Sequence, residues 1–308
     1  MSSSIKHYRG RNRSGFTLVE LLIGITIIGL LVGLLAVAGG GVIGTAREFA
    51  INNEIIQMSQ SVENFNTQYN FYPPSFLTIN GPNDLLPFLN KIAPNHRELD
   101  FMPGTTTTRL QNWWNLVGVN LDQRSSLVFW LSAVAENKQY PLSDPTTGLP
   151  LPAFDDGSGV ERQRLFDFDT TRLRQLDDKG AVDAGGLANV RGYDMPYGKQ
   201  NGRLLYVYRE AASYGLQDIT TGMPPTTYFA YNTGLDAGGT PIFINPNTFQ
   251  LVSAGLDGDF GEPFTENPPG PGGNILDTSA MTQLMPASSD NLCNFAGGRL
   301  DKFIDDQQ

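Results

Sequence analysis

Between Phe16 and Ala46 the only ionisable side chain is Glu20, and Leu21 to Ala38 is apolar apart from Thr26 and three glycines. Roughly 20 apolar residues rising ~1.5 Å each cross the ~30 Å hydrocarbon layer of a bilayer, so the run predicts one membrane-spanning helix. Lys6, Arg9, Arg11 and Arg13 precede it, with no acid among residues 1–15. A basic flank stays on the cytoplasmic side, which directs everything after residue 44 to the far side.

The rival reading is an ordinary secretory signal: a basic head, an apolar run, and the small-residue cleavage pattern at Ala36-Val37-Ala38. Two features count against it. Glu20 sits early in the apolar run, where a carboxylate is costly unless it finds a partner. The apolar character also continues into Val42 and Ile43, and a second helical pattern follows without a break. Cleavage between Gly15 and Phe16 would give Phe16 a free α-amino group, a cation able to pair with Glu20 of a neighbouring subunit.

The second pattern is one-sided. Ile51, Ile55, Met58, Val62, Phe65 and Tyr69 recur at spacings of 4, 3, 4, 3 and 4, the stripe of an amphipathic helix, with Asn52, Asn53, Glu54, Gln57, Gln60, Glu63 and Asn64 filling the polar positions. Tyr72-Pro73-Pro74 stops it, because proline lacks the N–H the helix needs. One helix over about 17–70 is predicted, apolar all round in its first half and packed on its own domain through its second. Gly24, Gly29 and Gly33 offer small surfaces for close helix approach in the first half.

Composition narrows the rest. A net charge of -10 argues against broad nucleic-acid binding, which needs clustered Lys and Arg. The single cysteine, Cys293, allows no internal disulfide, and the two histidines, His7 and His96, allow no histidine-cluster metal site. After Pro74 the candidate elements are Leu85 to Leu89, Trp113 to Val119, and a buried helix over Ser126 to Ala135 capped by serine. Residues 141 to 200 are rich in Pro, Gly and Asp and read as loops. Leu204 to Arg209, Thr227 to Tyr231, Pro241 to Asn245 and Phe249 to Ala254 read as short strands of an antiparallel sheet. A long helix on such a sheet is an α+β architecture.

The run Arg13-Ser14-Gly15-Phe16-Thr17-Leu18-Val19-Glu20-Leu21-Leu22 ahead of an apolar stretch resembles the class III signal of type IV pilins and type II secretion pseudopilins. The resemblance implies a prepilin peptidase that cuts after Gly15 and methylates Phe16, and a Glu20 that aligns subunits during assembly. It divides the chain into a basic leader (1–15), a transmembrane and polymerisation half of the helix (16–44), an amphipathic half (45–72) and a periplasmic globular domain (73–308). Asn70-Phe71-Tyr72-Pro73 and Tyr193-Asp194-Met195-Pro196-Tyr197-Gly198 are similar to segments of major pseudopilins, with about 76–190 as an insertion. The implied partners are the peptidase, the chain itself and other pseudopilins, and an inner-membrane secretion assembly.

Ser253-Ala254-Gly255-Leu256-Asp257-Gly258-Asp259 follows a strand, and Ser288-Ser289-Asp290-Asn291-Leu292 lies further on. Carboxylates on glycine-kinked loops can surround Ca²⁺, although the spacing is not that of an EF-hand and an ordinary hairpin turn explains it equally. The resemblance to the C-terminal calcium loop of major pseudopilins favours the ion, with Asp257, Asp290, Asn291 and Asp259 as ligands and the Ser253 or Ala254 carbonyls contributing. The alternatives to a pseudopilin are a type IV pilin or minor pilin for adhesion, motility or DNA uptake, and a secreted hydrolase using acids among Asp155, Asp156, Asp167 and Asp169. The last lacks an evident base, so an enzyme is not expected.

Overall fold

The computed structural model describes residues 16–76, 78–152, 159–175, 191–197, 206–214, 230–236, 240–256 and 291–300. The chain divides into two compact units, residues 1–46 and 47–308. Helix α1, Leu18–Tyr69, agrees with the predicted 17–70 to within a residue at each end. It closes where Asn70 turns into the left-handed region at φ 63°, a conformation asparagine tolerates at helix ends.

Within the second unit, every residue of the predicted stripe is buried: Ile51, Ile55, Met58 and Val62 are fully enclosed, and Phe65 and Tyr69 nearly so. They join a single apolar cluster that includes Leu85 and Leu89 of α2 (Pro82–Ile92), Leu110 and Trp113 of α3 (Arg109–Leu116), and Phe129 and Trp130 further on. Tyr208, Phe249, Leu251 and Leu292, from the sheet, complete it. Each fully buried aliphatic or aromatic side chain contributes about 1.5–3 kcal/mol, so this cluster is the main force holding the second half of α1 to its domain.

The helix exit is fastened from both sides. The Trp130 indole N–H donates to the Pro74 carbonyl at 2.9 Å, and the Tyr208 hydroxyl donates to the Pro73 carbonyl at 2.8 Å. Glu210 accepts the Ser75 N–H at 2.7 Å. The segment after the two prolines, which cannot satisfy its backbone in a helix, therefore finds its partners in the sheet and in residues 126–133.

Among the described residues, eight short strands form three antiparallel groups: β1 (Leu173–Gln175) with β2 (Arg191–Tyr193), β4 (Asn232–Leu235) with β5 (Pro241–Phe243), and a four-stranded sheet in the order β3 (Val207–Glu210), β6 (Phe249–Ser253), β7 (Leu292–Cys293), β8 (Gly298–Arg299). Helices with a small antiparallel sheet make an α+β fold, as the sequence predicts. The strand expected at Thr227 to Tyr231 falls mostly outside the described residues. Its last two residues, Ala230 and Tyr231, precede β4. The Gln250 side chain brackets Tyr231: it accepts the Tyr231 N–H at 2.7 Å and donates to the Tyr231 carbonyl at 2.8 Å, and that carbonyl also accepts the Ile244 N–H at 3.0 Å.

The helix predicted from Ser126 also departs from expectation. α4 covers only Ser126–Val128 and passes into a π-helical turn over Phe129–Ala133. The Ser125 side chain supplies no cap bond. The buried Asp122 carboxylate instead accepts the backbone N–H groups of Arg124 and Ser125, at 2.7 and 3.2 Å.

Among the described residues no helix is long and apolar enough to cross a membrane. The side chains of residues 35–42, in the second part of the expected span, lie outside the described residues.

Candidate functional site

The chain enters α1 through a reciprocal cap. Thr17 immediately precedes the helix; its N–H and its hydroxyl both donate to Glu20 Oε2, at 2.9 and 2.8 Å, and the Glu20 N–H donates back to the Thr17 hydroxyl at 3.2 Å. This is a capping box, in which a threonine and a glutamate three residues on satisfy backbone donors that the first helical turn leaves open. The T-x-x-E spacing announces it in the sequence. Glu20 thus has a partner in its own chain, and its carboxylate is held one residue from Phe16, whose ring is 81% exposed. Gly15 and the basic leader lie outside the described residues.

From Phe16 to Leu34 the apolar side chains stand open. Leu18, Val19, Leu21, Leu22, Ile25, Ile28, Leu30 and Leu34 are each more than half exposed. A continuous sleeve of this kind exceeds the apolar patches a soluble monomer exposes, and marks a surface that lipid or other helices cover. A Cβ added at Gly24, Gly29 or Gly33 meets nothing within 4 Å among the described residues.

The second unit holds its stretch of α1 by a different device. Glu54 forms a two-pronged ion pair with Arg172, Nη1 to Oε1 at 2.7 Å and Nη2 to Oε2 at 2.6 Å. The Tyr193 hydroxyl donates to Oε1 at 2.9 Å and the Tyr206 hydroxyl to Oε2 at 2.6 Å. Arg172 also donates to the Asp194 carbonyl and stacks over the Tyr193 ring, 4.3 Å from its centre. Burial and the Glu54 charge push both tyrosine hydroxyls well above their usual range. Burial opposes the Arg172 charge, but the bonds to Glu54 and its charge outweigh this and raise the guanidinium.

The sequence pattern sets Glu54 among the polar positions off the apolar stripe, yet in the fold its side chain is only 14% exposed. Nothing local could reveal it, because its partners lie 118, 139 and 152 residues away. A second ion pair, Arg299 to Glu48 at 3.1 Å, ties β8 to α1 six residues earlier.

Of the residues read as calcium ligands, Asn291 is described, and Asp257, Asp259 and Asp290 lie outside the described residues. Asn291 is buried; its side-chain oxygen accepts the Gly255 N–H at 3.3 Å and its amide donates to the Tyr231 hydroxyl at 3.2 Å. With Ser253 paired to Leu292 across β6 and β7, the two segments of the expected loop are neighbours. The Ser253 hydroxyl is buried there with no hydrogen-bond partner among the described residues.

Asp155 and Asp156 lie outside the described residues. Asp169 caps a short 3₁₀ turn, accepting the Thr171 N–H at 2.9 Å and its hydroxyl at 2.7 Å, bonds that lower its carboxyl below the usual range. Cys293 is fully buried, and burial pushes its thiol far above the ordinary value.

Residues 10–36 match the family model described as the prokaryotic N-terminal methylation motif. The match spans the last residues of the leader, Gly15, Phe16, Glu20 and the open apolar sleeve. It supports the type IV pilin-like class, which includes the pseudopilins and whose members are structural subunits. The motif implies processing by a prepilin peptidase and assembly with pilin-like subunits. No curated protein and no solved structure matches the chain.

Proposed function

We propose that the chain is a pseudopilin-like filament subunit of a type II secretion system. It is cut between Gly15 and Phe16 and methylated on the new Phe16 amine. The segment 16–44 spans the inner membrane, the body is periplasmic, and subunits polymerise through the N-terminal half of α1. The observation that carries this reading is the methylation motif running directly into an apolar sleeve whose side chains are more than half exposed among the described residues. Lipid covers such a sleeve before assembly and neighbouring helices cover it afterwards, each without water at the apolar surface.

Glu20 is the assembly residue in this reading. In the single chain its carboxylate is satisfied by Thr17, so pairing with a neighbour's Phe16 amine exchanges one set of hydrogen bonds for a charge-assisted one. Mass spectrometry of the mature N-terminus from membranes is the test. An N-methylated Phe16 is expected; a terminus at Gly39 would make the chain an ordinary secreted protein and overturn the reading. Filaments extending beyond the cell surface would identify a type IV pilin instead.

The same reading includes a calcium ion at the C-terminal loop, held by Asp257, Asp290, Asn291 and Asp259. Support comes from the adjacency of the Ser253–Leu256 and Asn291–Leu292 segments and from the orphaned Ser253 hydroxyl beside them. Bound calcium would supply a clamp on the folded state alone, raising its stability by mass action. Asp257→Ala and Asp290→Ala variants should then lose the difference in melting temperature between calcium and chelator that the parent chain shows.

A further inference from the structure

The second unit begins at residue 47, and its first surface residues have an unusual composition. Arg47 and Phe49 are exposed, Phe49 at 66%. Residues two apart in a helix point to opposite flanks but lie only ~3 Å apart along its axis, so the two form part of a ring and not a stripe. Tyr197 completes it: the Arg47 guanidinium lies 5.7 Å from the centre of the Tyr197 ring, and that ring is 60% exposed. Tyr197 also adopts φ 67°, a backbone conformation a bulky aromatic residue seldom takes, so its outward display is imposed by the surrounding fold.

The local charge balance is opposite to that of the whole chain. The two acids of the helix in this stretch, Glu48 and Glu54, are both ion-paired, to Arg299 and Arg172. Arg47 thus presents a cation beside the exposed Tyr197 ring, with Phe49 exposed on the opposite flank of the helix, in a protein whose net charge is -10. It is also the first ionisable residue after Glu20, four positions beyond Ile43, where the apolar run ends. Tyrosine, with an apolar ring and a polar tip, suits the level of lipid headgroups, and arginine there meets anionic phosphates.

We propose that Arg47, Phe49 and Tyr197 form a seat for the body on the bilayer surface, recognising anionic phospholipid headgroups. The proposal rests on the reading of residues 16–44 as a membrane span.

The test uses tryptophan fluorescence of the full chain in vesicles of phosphatidylethanolamine and phosphatidylglycerol, with bromine placed either near the headgroup end or in the middle of the acyl chains. Trp113 and Trp130 are almost fully buried and Trp114 nearly so, which gives the parent chain a shielded baseline. Tyr197→Trp should add emission quenched at least twofold more by shallow than by deep bromine, and Arg47→Glu in that background should abolish the quenching. Ile28→Trp should show the reverse depth preference.

Quenching at position 28 without quenching at 197 would overturn the seat and leave the membrane span standing. Absence of quenching at both would remove the span and the seat together. Shallow quenching at 197 that survives both Arg47→Glu and the omission of phosphatidylglycerol would overturn the recognition of anionic headgroups. Protection of 197 that grows with protein density would show a subunit contact in place of lipid.

Discussion

The two parts of α1 are built on opposite principles. Between Leu18 and Leu34 the helix carries apolar residues on every side, and its start is held by the Thr17–Glu20 cap. Between Arg47 and Tyr69 it carries one apolar stripe, fully used inside the domain, and its polar face is fixed by the Glu54 and Glu48 ion pairs. The comparison shows one secondary element carrying two surface patterns. A stripe suffices where a domain covers one face, whereas a helix that meets lipid or like helices on all sides must be apolar all round.

This contrast is sharpened by substitutions at matched sites. Phe65→Ala, which empties a fully packed core position, should cost the folded body about 3–5 kcal/mol in denaturant titrations. Ile28→Ala should leave that titration unchanged, since Ile28 has no core around it. An equal effect of both would show that the first half of α1 packs on the body after all.

Glu54→Ala should come next, at about 3 kcal/mol, because it leaves Arg172 half-buried without its carboxylate and two tyrosine hydroxyls without an acceptor. Glu20→Ala, the charge removed from the other half, should abolish filament incorporation in a pull-down of assembled subunits while the melting temperature of the body stays constant. A Glu54 variant as stable as the parent would reduce the network to surface decoration.

A smaller effect depends on pH. Glu98 is fully buried and accepts the N–H groups of Leu142 and Ser143 at 2.8 and 3.0 Å. Burial raises its carboxyl above the ordinary value, against the pull of these bonds and of Arg109. A carboxyl raised in the folded state contributes most when protonated. Its contribution is therefore full below the unfolded value near 4.5 and is lost as pH rises through the higher folded value. Glu98→Gln should flatten this fall, so melting temperatures of variant and parent should diverge from pH 4.5 upward, in favour of the variant. The smallest effect is expected from Thr17→Ala, about 1 kcal/mol confined to the first turn of α1 and read as faster amide exchange at residues 18–21.

The sequence by itself determined α1, its stop at the prolines, the burial of the 51–69 stripe, and the methylation motif at its start. These follow from local chemistry: periodicity, a missing proline donor, and a cleavage pattern read in one short segment. Only the tertiary structure decided that Glu54 is a buried anchor, that the Asp122 carboxylate takes the backbone N–H groups at the turn into α4, and that the Gln250 side chain brackets the Tyr231 peptide groups. Each depends on partners brought together by folding, and a polar residue on a helix has the same sequence signature whether it faces water or an arginine more than a hundred residues away.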